Sequence, residues 1–307
     1  MSQCWAFERR GNPGRRRLHQ RALLVLLMLV SSLVRAEICE RDDRGQTLCL
    51  AQPAMRIATL SPGATELVFA AGAGDRVVAV VEFSDYPPEA KAITSVGNHG
   101  RIDLETLVAL KPDLVIDWVS GNNAQKDKLD ALDFPVFSIE PQTFEGVSTA
   151  LERLGRLAGT AAAGQSAADD FRDGIADLAR RYRDQPPVTV FYEVWEEPLM
   201  TVSDQQLIGK VITLCGGDNV FGDQDRLIPR IDVESVLAAN PEAVLAGGMG
   251  EANDRWLEPW RQYPGLLATQ RANLFFVPPS LVQRPTPRLL EGSRIFCDHL
   301  ERARGRR

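Results

Sequence analysis

The stretch Arg101-Ile-Asp-Leu-Glu-Thr-Leu-Val-Ala-Leu-Lys-Pro-Asp-Leu-Val-Ile116 occurs a second time, as Arg230-Ile-Asp-Val-Glu-Ser-Val-Leu-Ala-Ala-Asn-Pro-Glu-Ala-Val-Leu245. Seven of the sixteen positions are identical, and most others exchange similar residues. Each copy predicts a short helix that follows an Asp cap, a proline that ends the helix, and a strand. Two copies so far apart indicate two lobes of similar build rather than a solenoid, whose repeats recur every ~20–50 residues. A two-lobed molecule has a cleft, and clefts bind ligands.

Strands and helices alternate on both sides of the segment 147–184, which predicts an α/β protein with two Rossmann-like lobes built on central parallel sheets. The segment itself has apolar residues at helical spacing but contains Gly159 and Gly164, so it is one long helix or two in series. One long α-helix between the lobes predicts a stiff molecule that closes only slightly on its ligand. The expected domains are a signal peptide (1–36), a short hairpin segment (37–54), an N-terminal lobe (55–146), the connecting helix (147–184) and a C-terminal lobe (185–307).

The first 36 residues have the pattern of a secretory signal peptide. Six arginines precede an uncharged, leucine-rich run at 22–34, and Val34-Arg35-Ala36 offers a cleavage site after Ala36. The run is too short to cross a bilayer, and a buried core helix is the alternative. We therefore expect export to the periplasm, cleavage, and no insertion of the mature chain into the membrane.

The charge of the mature chain limits its partners. Seven arginines and one glutamate leave with residues 1–36, a net loss of six positive charges, so the formal charge of −6 becomes −12. A surface this acidic argues against nucleic acid and anionic membranes, and it suits docking to a basic protein surface.

Four cysteines remain after residues 1–36 are removed, and the periplasm is a compartment in which disulfides form. Cys39 and Cys49 flank the turn signal Asp42-Asp-Arg-Gly45, so they are expected to staple a small hairpin. By elimination Cys215 and Cys297 should pair, which would tie the last helix to the second lobe; free buried thiols are the alternative.

The sequence offers few residues for catalysis or for binding a metal ion. The mature chain has only two histidines, His99 and His299, and lacks the common hydrolase, metalloprotease and phosphate-loop motifs. Two histidines without clustered carboxylates make a poor metal cage. The sequence therefore predicts no enzyme, no metal site and no cofactor.

Aromatic residues follow several predicted strands, where ligands bind in open parallel sheets. This much ring area near water suggests a large, partly apolar ligand, unless each ring closes the core of its own lobe. Trp256 and Trp260, at helical spacing, are expected to pack. The candidate ligand-binding rings are Phe83, Tyr86, Trp118, Tyr192 and Trp195.

Glu105 and Glu234 occupy equivalent places in the two copies of the repeat. A carboxylate in the first turn of a helix is favourable by about 0.3–1 kcal/mol, which could explain both residues. Because Asp103 and Asp232 already cap the helices, the glutamates are not needed as caps. Two acids, one on each lobe, would suit a partner with two symmetric basic pockets.

These residues resemble a known family. Ile57-Ala-Thr-Leu-Ser-Pro-Gly-Ala-Thr-Glu66, Ser84-Asp-Tyr-Pro-Pro88, the first copy of the repeat and Leu214-Cys-Gly-Gly217 are similar to segments of the periplasmic vitamin B12-binding proteins of ABC importers. More broadly, they resemble the helical-backbone substrate-binding proteins, which also serve siderophores, haem and some metals. The resemblance covers most of residues 55–300.

The resemblance implies a corrinoid such as cobalamin, bound between the lobes as a transported ligand and not a cofactor. It implies that Phe83, Trp118 and the loop at 192–195 contact the ligand. It also implies that Glu105 and Glu234 meet arginines of the two membrane subunits of the transporter. Cys215 and Cys297 match a disulfide of the family, and we expect a monomer.

The chain departs from this family at two positions. His99 and Ile228 stand where the cobalamin binders carry tryptophan. His99 could hydrogen-bond an amide of a corrinoid or reach its cobalt. Haem or a ferric siderophore is the alternative ligand, and an acidic siderophore would need cations such as Arg284 and Arg288 at the cleft. An enzyme on this fold, a hydrolase or a molybdenum-type cofactor protein, is disfavoured by the missing nucleophile and base.

Overall fold

The computed structural model describes residues 3, 37–98, 100–121, 123–248, 250–252 and 254–307. The predicted signal peptide therefore lies outside the described residues, apart from Gln3. Residues Ile38–Arg307 form one compact unit. Among the described helices, none combines the length and the apolarity that crossing a bilayer requires.

The chain begins this unit with a two-stranded hairpin, followed by the elements of the first lobe. Short 3₁₀ turns lie at Gly74–Arg76 and Pro88–Ala92. The elements are β1 (Ile38–Arg41), β2 (Thr47–Leu50), β3 (Ile57–Thr59), α1 (Pro62–Ala70), β4 (Val77–Ala79), β5 (Gly97–Asn98), β6 (Arg101–Ile102), α2 (Leu104–Leu110), β7 (Leu114–Trp118), α3 (Asn123–Ala131) and β8 (Val136–Ile139).

Two helices and the second lobe complete the chain. A 3₁₀ helix spans Arg255–Gln262. The elements are α4 (Phe144–Leu157), α5 (Ala161–Tyr182), β9 (Val188–Glu193), β10 (Trp195–Glu196), β11 (Leu199–Met200), β12 (Gly217–Asn219) with α6 (Leu207–Leu214) before it, α7 (Val233–Ala239), β13 (Ala243–Ala246), α8 (Leu267–Gln270), β14 (Leu274–Phe276), α9 (Pro279–Val282) and α10 (Leu289–Arg304).

The two lobes contain the same sheet. Four parallel strands run in the order β4-β3-β7-β8 in the first lobe and β12-β9-β13-β14 in the second. Each copy of the sequence repeat forms a helix and one of the two inner strands of its sheet, β7 in the first lobe and β13 in the second. The predicted α/β architecture with two parallel-sheet lobes is thus confirmed.

The caps of the repeated helices α2 and α7 match in detail. Asp103 accepts a hydrogen bond from the Thr106 amide, and Asp232 accepts one from the Ser235 amide. At the other end Lys111 (φ 48°) and Asn240 (φ 45°) adopt the left-handed conformation that ends both helices. Local signals therefore fix these helices in the same way in both lobes.

The predicted connecting segment contains two helices rather than one. Residues 158–160 separate α4 from α5, and Gly159 there has a φ of +67°. The helices then fold back on each other and approach closely, because a Cβ on Gly164 would lie 2.6 Å from the Leu151 carbonyl oxygen. The second helix, α5, is the long connection between the lobes.

Helix α5 joins the cores of the two lobes. A Cβ on Gly72 of the first lobe would meet Ala163 near its start, and a Cβ on Gly174 would meet Leu290 of the second lobe. Phe171 and Leu178 of this helix belong to a single apolar cluster that includes residues of both sheets. This shared core is consistent with a stiff connection, although the small extent of closure stays a prediction.

Both predicted disulfides are present. Cys39 and Cys49 face each other across β1 and β2, and Cys215 is bonded to Cys297 of α10. The hairpin packs on the first lobe, since Asp43 donates its amide to the Ser138 carbonyl at the edge strand β8. The bridge of the second lobe ties the last helix to the end of α6, as expected.

Candidate functional site

A cavity of about 340 Å³, which we call the interlobe cavity, lies where the two lobes meet. The first lobe contributes the turn at 60–63 after β3, the end of β7 and one face of α3. The second lobe contributes the segment 283–285. The wall is mostly apolar, so the cavity suits a ligand with apolar surface and a few polar groups.

Trp118 forms the aromatic part of the cavity wall. It is the last residue of β7, at the carboxyl end of the strand. A Cβ placed on Gly63 would lie 3.5 Å from the Trp118 ring and 3.9 Å from Thr286 Cγ2. The ring therefore lies beside the first turn of α1, close to the second lobe, where the sequence placed it.

Three other predicted rings are exposed. Phe83 is 75% exposed, and its carbonyl oxygen accepts a hydrogen bond from Arg284 of the cavity wall, so it lies at the rim. The ring of Tyr86 packs under the Arg288 guanidinium, 4.1 Å from its centroid, and lines a second cavity. Trp195 follows β9, and its ring packs edge-on against the Trp256 ring, with the two ring centroids 5.7 Å apart. Trp195 is not part of the interlobe cavity wall.

The prediction that Tyr192 contacts the ligand is not supported. Its side chain is fully buried and packs against Phe296. Burial raises the pKa of its hydroxyl, which lies beside Gly247, where an added Cβ would be 2.4 Å from the hydroxyl oxygen. Strand β9 is covered on both faces, so the position of a ring after an apolar run does not show whether that ring reaches a ligand. The Tyr192 ring instead closes the core of its lobe.

The remaining predictions from the rings and histidines have mixed outcomes. His99 lies outside the described residues. Ile228 is 42% exposed. Trp256 and Trp260 are buried in the second lobe, as their helical spacing indicated. The ligand contacts of Phe83, Trp118 and Trp195 stay predictions.

A buried ion pair connects the lobes beside the cavity. Glu66 of α1 is 3% exposed, and its Oε1 accepts hydrogen bonds from Arg284 at 2.8 Å and Arg288 at 3.3 Å. Its Oε2 accepts one from the Thr286 hydroxyl at 2.8 Å. Arg284 also donates to Asp85 at 2.9 Å, on the first lobe. We call these residues the interlobe latch.

The latch changes the expected role of the arginines. Arg284 does line the cavity, but its guanidinium already binds Glu66, Asp85 and the Phe83 carbonyl. Burial acts to raise the pKa of Asp85, but the hydrogen bond and the positive charge of Arg284, together with weaker contributions from the backbone and Lys91, outweigh burial and lower it. Two arginines that neutralise protein carboxylates are poorly placed to neutralise an acidic ligand.

A second charged pair lies in the cavity wall itself. Asp117 of β7 is 4% exposed and accepts a hydrogen bond from the Ser138 hydroxyl. Lys126 of α3 is 8% exposed and lies 3.8 Å from Asp117 Oδ2. Burial raises the pKa of Asp117, while Ser138 and Lys126 act in the opposite direction.

Glu105 and Glu234 lie where the sequence placed them, in the first turns of α2 and α7. Both are exposed. Within the described ranges, neither carboxylate has an ion-pair partner or a hydrogen bond that would occupy it. Both are therefore available to a partner, and their docking role stays a prediction.

Glu193, at the carboxyl end of β9, is a buried acid in the second lobe. It is 2% exposed, and Trp260 Nε1 donates a hydrogen bond to it at 2.6 Å. Burial raises its pKa from 4.5 to about 7; the hydrogen bond from Trp260 opposes this, and repulsion by Glu196 adds to it. The folded protein therefore binds a proton here that the unfolded chain has already lost above pH 4.5.

We expect this group to make stability fall with rising pH. Its stabilisation is complete below pH 4.5 and is lost as the pH rises to about 7, which amounts to about 3 kcal/mol. The variant Glu193→Gln should lack this fall, as measured by urea unfolding from pH 4.5 to 8. The control is Glu196→Gln, a change at an exposed acid nearby, and this variant should keep most of the fall in stability with rising pH. Parallel pH profiles for wild type and Glu193→Gln would contradict the assignment.

Sequence reasoning missed several residues of the site. Glu66, Asp117 and Lys126 were not predicted to have roles. For Asp117 a signal existed, because one acid interrupts the apolar strand Leu114-Val-Ile-Asp-Trp118. For Glu66 there was none, because its partner Arg284 is 218 positions away in the chain.

Comparison with known proteins gives consistent matches. The family model described as periplasmic binding protein matches residues 57–279. The vitamin B12-binding protein of Vibrio cholerae serotype O1 is 35% identical over 250 residues, covering 81% of this chain and 90% of that protein. The vitamin B12-binding protein of Yersinia pestis (strain Pestoides F) is 33% identical over 251 residues, covering 81% and 88%.

Solved structures agree with these matches. The crystal structure of the periplasmic vitamin B12 binding protein of Vibrio cholerae has a TM-score of 0.74 at 35% identity and covers 82% of this chain and 98% of that one. The periplasmic haem binding protein of Vibrio cholerae has a TM-score of 0.71 at 22% identity, covering 80% and 98%. At that identity the second match shows the fold alone.

Proposed function

The chain belongs to the periplasmic binding protein family, and from this premise we propose that it captures cobalamin or a related corrinoid and delivers it to an ABC transporter. The observation that carries the proposal is the identity of 35% to vitamin B12-binding proteins over most of both chains. We infer that the protein catalyses no reaction and uses no cofactor of its own.

The geometry of the cavity supports a corrinoid. Its wall is mostly apolar, with Trp118 on one side, and Phe83 is exposed at its rim. A corrinoid is larger than this cavity, so part of it would extend over the open rim. There the exposed rings of Phe83 and Trp195 could cover apolar surface of the ligand.

Haem and ferric siderophores are less well supported. The haem-binding protein of similar fold is only 22% identical, which carries no argument about the ligand. An acidic siderophore would need free cations at the cleft, yet Arg284 and Arg288 bind Glu66. The absorption spectrum of the protein as isolated from cells separates corrinoid, haem and siderophore.

Family membership indicates a protein of the periplasm. Our proposal adds that residues 1–36 direct export and are then removed, and that the mature protein acts as a monomer. It also adds that Glu105 and Glu234 contact the membrane subunits of the transporter. An acidic mature chain supports this, because a net negative protein is attracted to a basic docking surface.

Titration with cyanocobalamin tests the proposal. We expect binding at micromolar protein by calorimetry, and we expect Trp118→Ala to weaken it by roughly 10- to 100-fold. Burying an aromatic ring of this kind stabilises by about 1.5–3 kcal/mol, which corresponds to that factor. Phe275→Leu, a change in the buried core of the second lobe where the ring stacks on His299 away from the cavity wall, is the control and should keep wild-type affinity. If wild type shows no heat, the cobalamin assignment is wrong.

A further inference from the structure

The two copies of the sequence repeat have seven residues in common, and the fold accounts for most of them. Asp103 and Asp232 cap α2 and α7, and a proline follows the end of both helices. An isoleucine before each cap packs against the core of its lobe, and a valine of each repeated strand is fully buried. An alanine in each helix is accounted for by its high helix propensity. The identical pairs that remain are Arg101 with Arg230 and Glu105 with Glu234.

Stability does not account for the arginines at positions 101 and 230. Both are exposed, and within the described ranges neither guanidinium has an ion-pair or hydrogen-bond partner. The dipole of the helix that follows favours an acid near its first turn and not a cation. Exchanging an exposed residue of this kind usually changes the free energy of unfolding by less than about 0.5 kcal/mol. An arginine retained in both copies therefore indicates a role outside the fold.

The backbone holds both arginines in a similar way. Arg101 belongs to β6, which pairs with β5, and its amide donates a hydrogen bond to Asn98 Oδ1 at 3.0 Å. Arg230 forms an antiparallel bridge with Met200 of β11. In each lobe, a short pairing thus fixes the backbone two residues before the helix cap. A fixed backbone that carries an exposed side chain is preorganised for a partner, because less conformational freedom is lost on binding.

We propose that Arg101 and Arg230 form ion pairs with acidic side chains on the two membrane subunits of the transporter. These acids would lie next to the basic residues that receive Glu105 and Glu234. Each lobe then presents one positive and one negative group, four positions apart in the chain, and the partner presents the complementary pair twice. An entirely basic docking surface would repel both arginines, so each subunit is expected to carry an acid beside a base.

The inference rests on the proposed function and adds the charge pattern of the partner. The net negative charge of the mature chain attracts it to a basic surface but does not fix its orientation there. A positive and a negative group on each lobe do fix it, because a shifted arrangement places like charges together. The arginines therefore set the register in which the two lobes meet the two membrane subunits.

The test is the double variant Arg101→Glu, Arg230→Glu. Uptake of labelled cyanocobalamin is measured with proteoliposomes that contain the transporter, and affinity for cyanocobalamin is measured by calorimetry. We expect affinity within about twofold of wild type and uptake lower by about tenfold or more, because the reversal places like charges together. The matched control is Lys91→Glu, Arg302→Glu, which changes two exposed cations outside α2 and α7 and alters the net charge equally. This control should keep uptake near wild type.

A milder variant and a change of salt separate a lost contact from a folding defect. Arg101→Gln, Arg230→Gln removes the ion pairs without adding repulsion, so its loss of uptake should be smaller than that of the reversal. Salt screens exposed charges, so the difference between wild type and the reversal variant should narrow at 0.5 M salt, where the Debye length is below about 8 Å. A misfolded variant would stay inactive at every salt concentration. Far-UV circular dichroism verifies that each variant is folded.

The outcomes distinguish failure of this inference from failure of the proposed function. If the arginine reversal takes up cyanocobalamin as well as its control while Glu105→Arg, Glu234→Arg does not, the arginine contacts are overturned and docking through the glutamates stands. A loss of cyanocobalamin affinity in the arginine variants overturns the inference as well, because the arginines would then act on the ligand. If neither reversal impairs uptake, or if wild type binds no corrinoid, the proposed function is overturned, and this inference is overturned with it.

Discussion

Reversing Glu105 and Glu234 to arginine together is expected to abolish corrinoid uptake while leaving corrinoid affinity unchanged. Both side chains are exposed, hold equivalent places on the two lobes and are not needed as caps, since Asp103 and Asp232 serve that role. If they meet basic residues of the transporter, reversal places like charges together, which costs several kcal/mol. Uptake should then fall by about tenfold or more at each site.

The measurement is uptake of labelled cobalamin by cells or by proteoliposomes that contain the transporter, with affinity measured separately by titration. The control changes Glu89 and Asp173, two exposed acids outside α2 and α7, to arginine, so its net charge changes by the same amount as that of the test variant. Because it leaves α2 and α7 intact, uptake should stay near wild type. Normal uptake by the Glu105→Arg, Glu234→Arg variant would mean that these acids only stabilise their own helices, through a favourable interaction with the helix dipole.

Removing the acid of the interlobe latch should cause the largest loss of stability among the changes proposed. Glu66→Ala leaves Arg288 without its carboxylate and leaves Arg284 with Asp85 and the Phe83 carbonyl oxygen. Breaking a buried ion pair from one side costs about 3–5 kcal/mol. Both arginines keep some contact with solvent, so we expect a loss of about 2–4 kcal/mol in the free energy of unfolding.

Urea unfolding followed by fluorescence measures this loss. The matched control is Glu145→Ala, which also removes a glutamate from an arginine, Arg172, but on the exposed surface. A surface pair is worth about 0–1 kcal/mol, so the control should lose less than about 1 kcal/mol. If Glu66→Ala loses no more than Glu145→Ala, the latch does not hold the lobes together.

The course of the chain within each lobe was largely predictable. In the first copy of the repeat, α2 begins directly after the cap Asp103 and ends before Pro112, and β7 follows, as the repeated pattern predicted. Short elements were missed. Strand β12 has the polar sequence Gly-Asp-Asn and is recognisable only through its pairing with β9.

The site was predictable only in part. Trp118, at the end of an apolar strand, does line the cavity, while its contact with a ligand stays a prediction. The same reasoning placed Tyr192 at the ligand, but its ring is buried, because β9 is covered on both faces. Burial of Asp117 beside Lys126 depends on how α3 packs over β7. Pairing of Glu66 with Arg284 depends on how one lobe faces the other.

The amino-acid sequence by itself determined the two lobes, their repeated helix and strand, and the hairpin that Cys39 and Cys49 close. Caps, proline breaks and apolar runs act between residues a few positions apart, so they can be read from the chain. Only the tertiary structure decided which ring lines the cavity and which charges are paired. Those contacts join residues far apart in sequence, and their free energies depend on distance and burial, which the packing of the two lobes sets.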